Sequence, residues 1–213
     1  MSDHENVTTI HSHNIDVKQR ELYLHGHMSH AEEDPGVEFR MAATLIKNLR
    51  LLDSINQNNI LIHMSSAGGN WNDGMAIFDA ISTCKSHVIM LVYGQAESMS
   101  SIILQAADTR IMMPNAYFMC HFGSSGFEGN YLDVQAAHKF EQRDIEIMLG
   151  IYAEEAMNGP FFKNRSMTKS KTKNFIKTKL KQGDWYLNSD EAVEYGFADS
   201  VLTEPIDAIK YPQ

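Results

Sequence analysis

The chain has little cysteine: Cys84 and Cys120 are the two in 213 residues. Two thiols make no disulfide framework and suit a reducing compartment, so a cytoplasmic location is expected. Long apolar runs are also missing, and the longest present is far too short to span a bilayer, which argues against a membrane partner. The opening stretch, Met1 to Asn14, is polar and dotted with histidine, with no basic start leading into an apolar segment, so a secretory signal is not expected. Positive charge is in short supply as well. Eighteen Lys and Arg face 27 Asp and Glu, a net charge of −9 that argues against nucleic acid as the main partner. Basic residues do gather between Lys163 and Lys181, but Phe175, Ile176 and Leu180 interleave with them at helical spacing, as on a solvated helix face. What remains is an ordinary globular composition, 43% hydrophobic, without internal repeats or long linkers, and sized for one domain with a full core.

Strand and helix periods alternate along the chain. Arg20 to Gly26 alternates as a half-buried strand, and residues 27–36 form an acidic loop containing proline. A helix is predicted over about 37–53, with Met41, Leu45, Leu49 and Leu52 on one face. A short buried strand, Ile60 to Met64, runs into Ser65-Ser66-Ala67-Gly68-Gly69-Asn70 and then a helix near 73–84. Next come a strand over His87 to Tyr93, a helix over Met99 to Ala107, and strands at Arg110 to Met113 and Tyr117 to Phe122. A glycine-rich loop over 123–130 precedes a long helix from about Leu132 to Met157, which Asn158-Gly159-Pro160 breaks. A basic helix covers about 169–181. Asn188 caps a short helix with Glu191 at its third position, Gly196 ends that helix, and Ala198 to Thr203 closes as a strand. Such alternation predicts an α/β fold with parallel strands.

Gly94-Gln95-Ala96-Glu97-Ser98-Met99-Ser100 ends an apolar run and opens a helix, so it reads as strand, tight turn and helix with Ser98 at the helix start. A serine there is either a helix cap or a nucleophile, since N–H groups at a helix start suit a developing oxyanion. The spacing differs from the G-x-S-x-G elbow, because the glycine stands four residues before the serine. A nucleophilic serine needs a base, and His121, at a strand end before the glycine-rich loop, is the candidate; a packed strand histidine is the alternative. An acid must orient that base, and Asp184 beside Trp185 and Tyr186 is the candidate, with a turn-forming aspartate as the alternative. Gly68-Gly69 either brings N–H groups up to a substrate oxyanion or makes an ordinary tight turn. Cys120 should point away from His121, as adjacent strand residues do.

Several of these motifs together resemble the proteolytic subunit of the Clp protease family. Gly94 to Met99 is similar to its nucleophile motif, with Glu97 where alanine is usual. Met113-Pro114-Asn115-Ala116 with Met119-Cys120-His121 is similar to its histidine motif, and Ser66-Ala67-Gly68-Gly69 to its oxyanion loop, with alanine for proline. Asp184-Trp185-Tyr186-Leu187, Glu191 to Gly196 and Asp199-Ser200 resemble its aspartate and C-terminal segment. The resemblance runs from about Arg20 to Leu202. It implies a crotonase-like ββα spiral with the long helix as a protruding handle. It also implies a Ser98, His121 and Asp184 triad, and an oxyanion hole from the Gly69 and Met99 N–H groups. The implied activity is a serine endopeptidase acting on peptides or unfolded proteins, with no cofactor and no metal. The implied assembly is a homo-oligomeric ring, a heptamer or stacked rings, served by a Clp-type ATPase. The resemblance has departures: Ser100 stands where glycine is usual and is expected to crowd the turn behind Ser98, and Gln182-Gly183 replaces a charged pair that links two rings.

On this reading residues 1–16 are a flexible N-terminal segment, 17–204 the peptidase domain and 205–213 a C-terminal tail. The alternatives are a weakly active or non-catalytic ring subunit and an ATPase-independent viral or capsid processing peptidase. Ile145, Met148, Leu149, Tyr152 and Met157 are expected to form an apolar stripe for a partner subunit. His25, His27 and His30 beside an acidic loop have a ligand-like composition, with surface polarity as the alternative.

Overall fold

The computed structural model describes residues 3–25 and 35–210, and among these eight strands form one sheet. Its spine is β2 (Glu21–His25), β3 (Ile60–Ser66), β4 (Val88–Glu97), β5 (Thr109–Met112) and β8 (Ser200–Val201), each parallel to the next, with β1 (Ile15–Asp16) antiparallel at the β2 edge. Parallel strands are covered on both faces, which is why Ile60 to Ile62 of β3 and the first half of β4 are continuously apolar. On one face Leu24, Ile62, Met64, Met90 and Val92 lie in the main core with Met41, Leu45, Leu49 and Leu52 of α2 (Phe39–Ile55), the spacing that marks that helix in the sequence. On the other face Leu61, Ile89, Leu91 and Ile111 are covered by Leu202 and by Ile206 and Ile209 of α9 (Ile206–Lys210).

The long strand β4 sets up the site. Its first half, Ile89 to Val92, pairs β5, and its last residues, Gln95 to Glu97, pair β6 (Tyr117–Cys120) on the same side. Between them the pairing with β3 shifts register, from Met64 opposite Val92 to Ser66 opposite Ala96, and Gly94 there takes φ 53°. Gly94 therefore serves a bulge in a continuing strand, a backbone that glycine adopts without steric cost. The turn expected over Gly94 to Glu97 is strand, and the chain reverses only at Ser98.

The N-terminal segment expected to be flexible forms α1 (Asp3–His13) and then β1, whose Ile15 and Asp16 are buried, so the sheet begins before residue 17. Among the described residues no helix is long and apolar enough to cross a membrane. The long helix α5 (Tyr131–Ala156) starts from an Asn130 cap. Its exposed large apolar residues are Tyr131, Leu132, Val134 and Phe140, all in its first half. The expected partner-facing stripe is a correction: Met148, Leu149 and Tyr152 are buried within the subunit. The helix keeps its apolar period, but β6 and α4 (Met99–Leu104) cover it from inside, with the Tyr152 hydroxyl 2.6 Å from Ser101 Oγ. The outer side of α5 meets α7 (Lys169–Leu180), where hydrogen bonds from Lys173 and Lys177 hold the Glu146 carboxyl down to about 2. Leu149→Asp should therefore abolish folding rather than split an oligomer, since a buried unpaired carboxylate costs several kcal/mol. Leu132→Asp, at 69% exposure, should leave the thermal midpoint of the subunit within a few degrees. Circular dichroism melts of both variants check this.

Candidate active site

Ser98 joins β4 to α4 with φ 51° and ψ −124°, a backbone that costs a non-glycine residue about 1–3 kcal/mol. Neighbours on both sides hold it there. Its N–H donates to the Met119 carbonyl at 2.9 Å, and its own carbonyl accepts from the Ser101 N–H at 3.1 Å and the Ser101 hydroxyl at 2.6 Å. The Ser98 hydroxyl makes no capping bond to α4, which disposes of the helix-cap alternative. Instead Ser98 Oγ lies 2.8 Å from His121 Nε2.

His121 is where it is because β6 runs parallel to the end of β4, Met119 opposite Glu97, so the residues just past both strands meet. Cys120 points the other way into the core, where burial pushes its thiol up, as strand alternation predicts. Asp184 arrives on a strand that the sequence reading leaves out. β7 (Trp185–Asn188) pairs antiparallel with β6, with Trp185 opposite Cys120, so the residue before β7 falls beside the residue after β6. Asp184 Oδ1 lies 3.4 Å from His121 Nδ1, with the aspartate side chain 52% exposed and the histidine 24%. With its proton on Nδ1, facing Asp184, the imidazole presents Nε2 as acceptor to the Ser98 hydroxyl.

The Gly68-Gly69 loop crosses directly in front of Ser98. A Cβ on Gly68, at φ 94°, would stand 2.6 Å from Ser98 Cβ and 2.8 Å from the Glu97 carbonyl oxygen. A Cβ on Gly69 would stand 2.3 Å from the Val37 carbonyl oxygen, because residues 37 and 69 form a bridge closed by Val37 N–H to the Gly68 carbonyl and Asn70 N–H to the Val37 carbonyl. The close approach therefore demands both glycines. Among the described residues neither the Gly69 N–H nor the Met99 N–H has a protein acceptor, and both residues line the same cleft as Ser98 and His121. That cleft, about 790 Å³, lies between the loop after β6 and α5. Trp71, Ile102, Phe122, Phe127 and Phe140 make it apolar, and Glu141 and Asp144 add carboxyl groups. Ser125 donates to Glu141, and burial pushes the Asp144 carboxyl up.

The arrangement brings together all five residues singled out in the sequence: Ser98, Met99, His121 and Gly69 at the cleft, and Asp184 behind His121. Sequence reasoning missed the α5 wall of the cleft, since Phe140 and Asp144 carry no motif and reach the site only through tertiary packing. Ser100, expected to crowd the turn, is fully buried and donates to Ser66 Oγ at 2.7 Å. Of the histidine cluster, His27 and His30 lie outside the described residues. Among the described residues no group of three metal-ligating side chains occurs.

Comparison with known proteins agrees with this architecture. Residues 33–205 match the model of the Clp protease family. The ATP-dependent Clp protease proteolytic subunit of Deinococcus radiodurans is 32% identical over 173 residues, 79% of this chain and 77% of the relative. The proteolytic subunit 2 of Pseudomonas aeruginosa is 30% identical over 169 residues, 78% and 77% of the two chains. That of Carsonella ruddii is 29% identical over 191 residues, 87% and 85%. A match over most of the chain, on a mixed α/β sheet of the expected type, leads to one conclusion: this chain belongs to the Clp protease family of serine peptidases.

Proposed function

We propose that the chain is a serine endopeptidase in which Ser98 is the nucleophile, His121 the general base and Asp184 the orienting acid. The observation that carries this reading is the 2.8 Å approach of Ser98 Oγ to His121 Nε2 in an open cleft. Ser98 Oγ attacks the scissile carbonyl while Nε2 takes its proton, and the imidazolium returns it to the leaving amine. Asp184 holds the ring and stabilises its positive charge. The Gly69 and Met99 N–H groups receive the oxyanion, and water then attacks the acyl-enzyme by the same route in reverse. Every group needed is a side chain or backbone of this chain. A fluorophosphonate should form an adduct on Ser98, read by peptide mass spectrometry; an adduct at Ser124 or Ser125, the other hydroxyls lining the cleft, would remove the assignment.

Gly69→Ala tests the oxyanion role. A Cβ at Gly69 cannot coexist with Val37 in its present place, so the loop must shift and carry its N–H away. Loss of one oxyanion donor lowers kcat about 100- to 1,000-fold. Labelling of Ser98 should persist more slowly, and an unchanged kcat would exclude the Gly69 N–H from the hole.

The relatives' description as proteolytic subunits of ATP-dependent proteases supports a second part of the proposal. Identical subunits assemble into a ring, a heptamer or two stacked, that encloses the clefts and receives unfolded polypeptide from a Clp-type ATPase. The exposed Tyr131, at 76%, and Leu132 on α5 offer apolar surface for such contacts. Native mass spectrometry should find the ring; a fully active monomer would overturn this part and leave the triad untouched.

A further inference from the structure

Two serines that the proposed reaction does not use, Ser66 and Ser100, meet in the core beneath Ser98. Ser66 ends β3 and leads into the Gly68-Gly69 loop, and Ser100 is the second residue of α4. Both are fully buried. The Ser100 hydroxyl donates to Ser66 Oγ at 2.7 Å, and Ser66 Oγ also accepts the Gly68 N–H at 3.3 Å. A buried hydroxyl is costly unless paired, so each serine makes the other tolerable. The pair also joins two pieces of chain with separate origins, the loop after β3 and the helix after β4. Those pieces carry the Gly69 and Met99 N–H groups. Around the pair, the contact between loop and turn is close packing of Gly68 on Ser98, which resists approach but does not set direction. A hydrogen bond sets both distance and angle.

We propose that the Ser66–Ser100 hydrogen bond is a positioning device that holds the Gly68-Gly69 loop in register with the start of α4, so that both N–H groups converge on one oxyanion. The inference rests on the reading of Ser98 as nucleophile and goes beyond it, since neither serine touches substrate. The bond acts only on the tetrahedral state, because the oxyanion forms there and is absent from bound substrate. Removing it therefore lowers kcat and spares KM.

The test uses Ser66→Ala, Ser100→Ala and the double variant of the full chain, each nearly isosteric and so expected to fold. A peptide boronate reports on the hole, since its tetrahedral adduct on Ser98 places an oxygen there. Either single change should lower kcat about tenfold, less than outright loss of an oxyanion donor. KM should stay within twofold, and boronate affinity should fall in proportion to kcat/KM. The double variant should be no worse than Ser66→Ala, the coupling expected of partners in one bond. Ser86→Ala, which removes another buried hydroxyl among Arg20, Asp53 and Asn56 far from the cleft, should lower the melting temperature and change neither kcat nor boronate affinity. Unchanged kcat and boronate affinity in Ser100→Ala, with Ser98 still labelled, would overturn the positioning role alone. Losses that multiply in the double variant would do the same. Failure of the fluorophosphonate to label Ser98 in the unmodified protein would bring down the nucleophile assignment and this inference with it.

Discussion

Ser98→Ala is expected to lower kcat for peptide hydrolysis about a million-fold, the loss seen when a triad serine is removed and only binding and the oxyanion donors remain. Among the described residues Ser98 has the one hydroxyl within hydrogen-bond reach of His121. Ser66 and Ser100 are buried and bonded to each other, and Ser125 is engaged with Glu141. The fold should not notice the change, because Ser98 Oγ supports no element and the backbone bonds at Ser98 survive it. Ser98→Gly separates activity from stability more sharply. Glycine takes φ 51° freely, so this inactive variant should be about 1 kcal/mol more stable than the parent by denaturant unfolding. Retention of even one per cent of the parent rate in Ser98→Ala, measured on freshly purified protein, would show that the nucleophile lies elsewhere.

His121→Ala should cost nearly as much, about a million-fold, because a hydroxyl without a base is not a nucleophile at neutral pH. Asp184→Ala should cost less, about ten-thousand-fold, since the imidazole still accepts the Ser98 proton and loses mainly its orientation and charge partner. The 3.4 Å separation and the half-exposed aspartate point the same way, because water already shares in stabilising the imidazolium. On the proposed mechanism the three residues act as a unit, so Ser98→Ala combined with His121→Ala should be within tenfold of either alone. Rates measured for the singles and the double on one fluorogenic peptide decide it; effects that multiply would mean that the two residues serve different steps.

Much of the architecture was legible because it is written in local periods. The apolar spacing of Met41, Leu45, Leu49 and Leu52 marks α2, and the capping box of Asn188 and Glu191 marks α8 (Ser189–Glu194) within a residue. The apolar runs Ile60 to Ile62 in β3 and Val88 to Val92 in β4 identify buried parallel strands, since alternation disappears when both faces are covered. The candidate site was legible for a different reason: taken singly, Ser98, His121, Asp184 and Gly68-Gly69 each keep a structural alternative, and only their combined order and spacing, similar to the Clp protease motifs, single them out.

Where one element lies over another could not be read the same way. The α5 stripe is equally apolar whether a neighbouring subunit or the subunit's own β6 and α4 cover it; only packing chose the latter for Met148, Leu149 and Tyr152. The bulge at Gly94 reads as the start of a tight turn because a local pattern cannot tell a kink within a strand from a reversal after it, and the pairing of β4 with both β5 and β6 settles the point. The sequence by itself therefore determined the main helices and the apolar strands of the sheet's spine, but not α1, β1 or β7, because the former are written in the spacing of apolar residues along the chain. Tertiary structure alone decided that β7 lies antiparallel to β6 and sets Asp184 beside His121, and that Ser66 meets Ser100 across 34 residues of chain, because register and contact between distant segments depend on which surfaces bury each other.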